Sequence, residues 1–327
     1  MLATGGTIAS RMSDHGLQPS IAPEEVLSYV PRIGEICEVH THQVCHIDST
    51  NIRPFHWEMM SQAIEERYHM YDGFVICHGT DTLAYTAAAL SYMIQHSPKP
   101  IVITGAQRPI DLEITDAKTN LLDSFLYATD PDSRDVTIVF DGKVIVGTRA
   151  KKVRAKSYNA FESINFPYVA IVQDGRVIRY LPPIPEEDEP IFYHQMDKTV
   201  CVLKLTPGIK KEMLAFTFAN YDGIVLESFG VGGIPEYINA EFYHQLEQKE
   251  HENKLVIMAT QVANEGSNMT IYEVGKKVKQ DLNLMEAYDM TLEATITKLM
   301  WLLSRQELTM EEMRAEYYRR INHDILL

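Results

Sequence analysis

The feature that most constrains this chain is a set of short, unbroken apolar runs, each stopping at a cluster of Thr, Ser, Asp or Gly. Phe74-Val75-Ile76-Cys77 stops at His78-Gly79-Thr80-Asp81-Thr82, and Ile101-Val102-Ile103-Thr104 stops at Gly105-Ala106-Gln107-Arg108-Pro109. Val44-Cys45-His46-Ile47 leads into Asp48-Ser49-Thr50-Asn51. A run that is apolar at every position offers no face to water, so it reads as a strand covered on both sides, the habit of parallel sheets. Helical patterns separate the runs. Pro54 opens one from about Phe55 to Tyr68; others span Leu83 to Gln95 and Ala117 to Ala128, the last with Asp116 in capping position. Strand, loop, helix, strand is the βαβ pattern. Parallel strands finish on one edge, so the hydroxyl and carboxylate clusters converge on one crevice.

The chain begins with the same kind of unit. Met1-Leu2-Ala3-Thr4 reads as a strand that breaks at Gly5-Gly6 before Thr7-Ile8-Ala9-Ser10. Taken alone, the segment has two readings. It is either a strand-ending turn with capping hydroxyls, or a loop whose glycines let the backbone approach a ligand. Only four residues precede the glycines, against a usual five or six, so we expect a strand clipped at Met1.

Further along, Gly16-Leu17-Gln18-Pro19-Ser20 reads as a loop and Pro23 to Val30 as a short helix. Val136–Phe140 and Lys143–Val146 flank an Asp141-Gly142 hairpin turn. Pro182 to Pro190 carries the prolines and acids of a linker. A second α/β pattern follows, with strands over 200–205, 223–227 and 255–259 and helices over about 211–219 and 240–248. Helices over 291–304 and 309–321 close it. The division expected is a domain over 1–181, a linker over 182–198 and a domain over 199–327.

Composition sets limits on partners. The 327 residues hold 45 acidic and 30 basic side chains, a net charge of −15, which argues against nucleic-acid or anionic-membrane partners. One local reversal stands out: Arg149, Lys151, Lys152, Arg154 and Lys156. It serves as an anion pocket, as a donor to a buried ion pair, or simply as a solvated basic loop. The four cysteines form no CxxC pair, which fits reduced thiols in a cytosolic protein, with Cys77 as core filler. No run is long enough to span a bilayer and no secretory leader is visible, so the expected location is the cytoplasm. Gly230-Val231-Gly232-Gly233 lacks GxGxxG spacing, and no Walker, HExxH or GxSxG motif occurs. No cofactor or metal is expected.

The chemistry follows from the strand ends. Threonine is a weak nucleophile that needs a base or a nearby cation. Asp81 supplies a carboxylate beside Thr80, and a lysine of the 149–156 stretch supplies the cation. Backbone N–H groups at the helix start after Thr80 can hold an oxyanion or a substrate carboxylate. The residues therefore point to acyl transfer or hydrolysis by a threonine nucleophile.

Ala3-Thr4-Gly5-Gly6-Thr7-Ile8-Ala9 and His78-Gly79-Thr80-Asp81-Thr82 together resemble the two signatures of bacterial-type L-asparaginases, and of their cytoplasmic type I branch in particular. Asp48-Ser49-Thr50, Thr104 to Pro109, Gly147 to Lys152, Ser228 to Gly232 and Met290 to Thr295 extend the resemblance over nearly the whole chain. It implies hydrolysis of L-asparagine to L-aspartate and ammonia, with weak use of glutamine as a side substrate left open. The implied fold is α/β in two domains: an N-terminal mixed, mainly parallel sheet flanked by helices, and a smaller C-terminal parallel α/β domain. Thr7 matches the threonine that carries the β-aspartyl group. Thr80, Asp81 and Lys152 match the triad that activates the nucleophile, Lys152 being preferred to Lys151 from its distance after Gly147. Asp48, Ser49 and Thr50, with Thr80, Asp81 and Ala106, match the substrate-binding positions. A homodimer or homotetramer with shared sites is also implied. His78 is expected to be structural. Three positions depart from the pattern: Leu17 stands where many relatives have a lid tyrosine, Gly233 where some have a partner-subunit asparagine, and Val262 where some have a regulatory cysteine. Two other functions fit the same residues: a non-catalytic amino-acid sensor, and the ammonia-supplying amidase subunit of a tRNA-dependent amidotransferase. The amidase reading calls for an N-terminal domain ahead of the first signature.

Overall fold

A computed structural model describes residues 1–13, 16–182, 189–248, 254–271 and 284–326. The chain divides into two units, Met1–His194 and Gln195–Leu327.

In the first unit the strands are β1 (Leu2–Gly5), β2 (Ser10–Ser13), β3 (Gly16–Pro19), β4 (His42–Ile47), β5 (Phe74–Cys77), β6 (Ile94–Gln95) and β7 (Pro100–Thr104). They continue with β8 (Asp135–Phe140), β9 (Lys143–Val146), β10 (Ala150–Lys152), β11 (Phe161–Ser163), β12 (Ala170–Gln173), β13 (Arg176–Arg179) and β14 (Ile191–Phe192). Eight of these form one sheet in the order β13-β12-β9-β8-β7-β5-β1-β4. The run from β4 to β8 is parallel throughout, and β9, β12 and β13 extend it antiparallel from β8. The expected mixed, mainly parallel sheet is therefore observed.

The helices are α1 (Pro23–Ser28), α2 (Ile33–Ile36), α3 (Pro54–Glu65), α4 (Leu83–Met93) and α5 (Ala117–Ala128). Val75, Cys77, Val102 and Val139 pack with Leu121 and Phe125 of α5 in one core. The alternate residues Phe74, Ile76, Ile101 and Ile103 are just as buried on the opposite sheet face. That is why β5 and β7 read as unbroken apolar runs. The central helix α4 is Ala-rich and buried on nearly every side, packing against β8, β10 and α3.

Three local expectations are corrected. Gly16–Pro19 is not a loop but β3, paired antiparallel with β2 so that Leu17 faces Met12 across the ladder; the side chain of Leu17 is not among those described. The helix expected to reach Gln95 stops at Met93, because residues 94–95 form β6 and pair with β14. Within the stretch read as a linker, 182–198, residues 191–192 are thus a strand of the first unit, while 183–188 lie outside the described residues.

The second unit has a four-stranded parallel sheet in chain order: β15 (Val200–Lys204), β16 (Gly223–Ser228), β17 (Leu255–Thr260) and β18 (Met285–Glu286). Its helices are α6 (Glu212–Asn220), α7 (Glu236–Glu247), α8 (Leu292–Leu303) and α9 (Met310–Tyr318). The Thr291 hydroxyl caps α8, and Thr309 with Glu312 forms a capping box on α9. Helix α8 carries Lys298, whose ammonium is fully buried. It bonds the Asp324 carboxylate at 2.6 Å and the Arg319 carbonyl at 2.8 Å, tying down the last residues of the chain. Among the described residues no helix is long and apolar enough to cross a membrane.

Candidate active site

The carboxyl ends of β1, β4, β5 and β7 bring four of the sequence clusters together. β1 turns sharply at Gly5 and Gly6. Gly6 has φ +76°, and a Cβ on it would stand 2.4 Å from the Cα of Gly79. The two signature loops therefore meet backbone to backbone, a contact that only glycine permits. On the far side, a Cβ on Gly79 would fall 2.6 Å from the Ser49 hydroxyl, so the β4 loop closes in as well. The Gly6 N–H bonds the Ile47 carbonyl of β4 at 3.1 Å. The geometry separates the two threonines of the first loop. Thr4 is buried, with its hydroxyl donated to the Cys77 carbonyl at 3.0 Å. Thr7 lies beyond the glycines in a short 3-10 turn and is half-buried.

Thr80 and Asp81 follow β5 and precede α4. Lys152, at the end of β10, donates to the Thr80 hydroxyl at 2.8 Å and to the Asp81 carboxylate at 2.7 Å. Thr80 is buried; the Asp81 side chain is 55% exposed and that of Lys152 18%. One cation thus bridges a covered hydroxyl and a carboxylate open to solvent. The Ser49 hydroxyl accepts from the Asp81 N–H at 3.2 Å, and its carbonyl accepts from the Thr82 hydroxyl at 2.7 Å. Asp48 and Thr50 bond each other instead: the Asp48 carboxylate accepts from the Thr50 N–H at 2.8 Å and its hydroxyl at 2.7 Å, shaping the turn that presents Ser49. Ala106 is fully buried in the first core, so only its backbone is available to a ligand.

His78 is fully buried and bonded at both ring nitrogens. Its Nδ1 lies 2.7 Å from the Gly79 carbonyl, which can only accept, so the ring proton is on Nδ1. Its Nε2 then accepts from the Thr86 hydroxyl at 3.0 Å, which in turn accepts from the Trp57 indole N–H at 2.9 Å. Burial pushes the imidazole pKa down to about 4. A neutral ring of fixed tautomer orients the peptide of Gly79; it has no free nitrogen for proton transfer.

Two residues of the site escaped sequence reasoning. Gln107 accepts from the Thr80 hydroxyl at 3.1 Å and donates to the Ser157 carbonyl at 3.1 Å. Asp116 does not cap α5 through its side chain. It turns back to accept from the N–H groups of Gln107 and Arg108 and from the Asn120 amide, and burial raises its pKa. The signal for Gln107 was its membership of the strand-end cluster after β7, and for Asp116 only its place ahead of α5. Among the described residues no group of three or more His, Cys, Asp or Glu is placed to hold a metal ion.

Comparison with known proteins bears on this geometry. Residues 1–185 match the family model "Asparaginase, N-terminal" and residues 199–316 match "Glutaminase/Asparaginase C-terminal domain". The chain belongs to the asparaginase family. An L-asparaginase from Thermococcus kodakarensis is 38% identical over 326 residues, covering 99% of this chain and 98% of that protein. The solved structure of the thermostable enzyme from that organism superposes with a TM-score of 0.90, again over 99% of this chain and 98% of that one. L-asparaginase 1 of Escherichia coli K12 is 34% identical over 95% of this chain and 93% of its own length. One of the subunits of glutamyl-tRNA(Gln) amidotransferase from Methanococcus maripaludis is 32% identical over all of this chain and 81% of that protein. The two-domain α/β architecture of this asparaginase-family chain agrees with these relatives.

Proposed function

We propose that the chain hydrolyses L-asparagine to L-aspartate and ammonia. The observation that carries the proposal is the Lys152 ammonium bonded to both the Thr80 hydroxyl and the Asp81 carboxylate, beside a glycine-built loop that presents Thr7. The Thr7 oxygen attacks the side-chain amide carbon. The carbon–nitrogen bond breaks, the threonine proton leaves with ammonia, and a β-aspartyl ester remains on Thr7. Water then attacks the ester, releasing aspartate and restoring the hydroxyl. Thr80, polarised by the cation 2.8 Å away, activates Thr7 in the first half and water in the second. The exposed Asp81 carboxylate pairs with the substrate's α-ammonium, and Ser49 with the Asp48–Thr50 turn grips the α-carboxylate. The enzyme is cytoplasmic and works as a homodimer or homotetramer.

The test is ammonia release from asparagine by the purified protein beside Thr7→Val and Lys152→Met. Each variant is expected to lose at least about a thousandfold in kcat, the usual scale when an activated nucleophile loses a partner. Full activity in either variant would overturn the assigned roles. The relatives named as parts of an amidotransferase favour one second reading, an amidase that feeds ammonia to a tRNA-dependent partner. Turnover of glutamine well above that of asparagine would decide for it.

A further inference from the structure

We propose that Gln107 is a positioning residue that fixes which way the Thr80 hydroxyl points. This rests on the hydrolysis proposed above. The argument is one of donors and acceptors. The Ser157 carbonyl can only accept, so the Gln107 amide must turn its nitrogen toward Ser157, at 3.1 Å. Its oxygen then faces Thr80, also at 3.1 Å. An amide oxygen can only accept, so the Thr80 proton is committed to Gln107. Lys152, a pure donor at 2.8 Å, occupies one lone pair of the same hydroxyl oxygen. One lone pair remains, and it is the only part of that oxygen still free to take a hydrogen bond from an incoming nucleophile. Without Gln107 the hydroxyl proton is free to swing into that position, and the oxygen then meets the nucleophile as a donor.

The main chain holds Gln107 in place. Its N–H bonds the Asp116 carboxylate at 2.8 Å, and the Arg108 N–H joins the same carboxylate at 3.1 Å. The side chain therefore spans from a clamped loop after β7 to the connection between β10 and β11. The connection that follows Lys152 is tied to the same hydroxyl as Lys152 itself.

Two variants test this. Gln107→Met keeps the length and loses both bonds; kcat for asparagine should fall about 10- to 100-fold with KM within about twofold, the scale of a misoriented catalytic group. Gln107→Glu distinguishes orientation from packing. A carboxylate cannot donate to Ser157, and repulsion from that carbonyl oxygen drives it out of the position from which the amide accepts the Thr80 proton. A protonated carboxyl has one acceptor oxygen and one O–H, and so restores the amide's pattern. The kcat of Gln107→Glu relative to the parent should therefore climb about tenfold between pH 8 and pH 5, with folding checked by circular dichroism at each pH. A residue that merely packs gives a flat ratio. If Gln107→Met does not fold, the ratio for Gln107→Glu still decides. An active parent whose variants keep kcat within twofold at every pH overturns this inference alone. A parent that releases no ammonia from asparagine overturns the proposed function and this inference together.

Discussion

Burial holds the His78 imidazole neutral, with a pKa near 4 in the fold. In the unfolded chain the same ring titrates near 6.5. Between those values the unfolded state binds a proton that the fold refuses, so stability declines as pH falls through the window, by about 3 kcal/mol at its lower end. Asp123 works in the opposite sense. Burial, and then the nearby Asp141 charge, push its pKa up to about 6. The fold therefore takes up this proton before the unfolded chain does, and the carboxylate is a liability above pH 6 that disappears toward pH 4. Asp123→Asn should raise unfolding stability at pH 7.5 by about 1 kcal/mol, allowing for partial solvent screening, and by nothing at pH 4. Urea unfolding at the two pH values checks both numbers. At this scale the sequence was informative where a motif fixed the spacing. The structure places the Lys152 ammonium on Thr80 and Asp81, and it buries His78, read from the sequence as structural, with both ring nitrogens bonded. Gln107 was not legible, because its orientation depends on the Ser157 carbonyl 50 residues later in the chain.

Between elements, the tightest constraint is the contact of the β1 and β5 loops. Gly6→Ala places a methyl group against the Gly79 backbone and adds the strain of a positive φ. We expect a loss of about 2–4 kcal/mol. Gly16→Ala is the control: φ there is +101° but none of the described residues lies within 4 Å of the new methyl, so only strain is expected, about 1 kcal/mol. Thermal unfolding of the two variants separates crowding from strain. In the second unit, Lys298→Met removes the ammonium paired with the buried Asp324 carboxylate and should cost about 3–5 kcal/mol. Lys298→Met with Asp324→Leu should lose clearly less, because both buried charges leave together. Most elements could be read from the sequence because burial on both sheet faces leaves unbroken apolar runs. The exceptions are informative. β3 carries Gly and Pro, which imitate a loop, and only pairing with β2 makes it a strand. β6 looks like the end of α4 until β14, nearly a hundred residues on, pairs with it.

Over the whole molecule, a net charge of −15 makes self-repulsion a standing cost at low ionic strength. Raising salt from about 10 mM to about 150 mM shortens the reach of that repulsion to roughly 8 Å. The melting temperature should rise by a few degrees over that range; a fall would show that attractive surface pairs dominate instead. Every residue assigned to the site lies in the first unit, Met1–His194. Within that unit the order of synthesis matters. The parallel half of the sheet is complete once Phe140 has been made, and by then the chain already holds Thr7, Thr80 and Asp81. Lys152 comes 72 residues after Thr80, on an arm of two short strands whose second strand ends at Ser163. A ribosome adds residues in order, so the Lys152 ammonium is the last part of the proposed relay to be delivered. Chains released before residue 152 hold Thr7, the proposed nucleophile, without the lysine proposed to activate it.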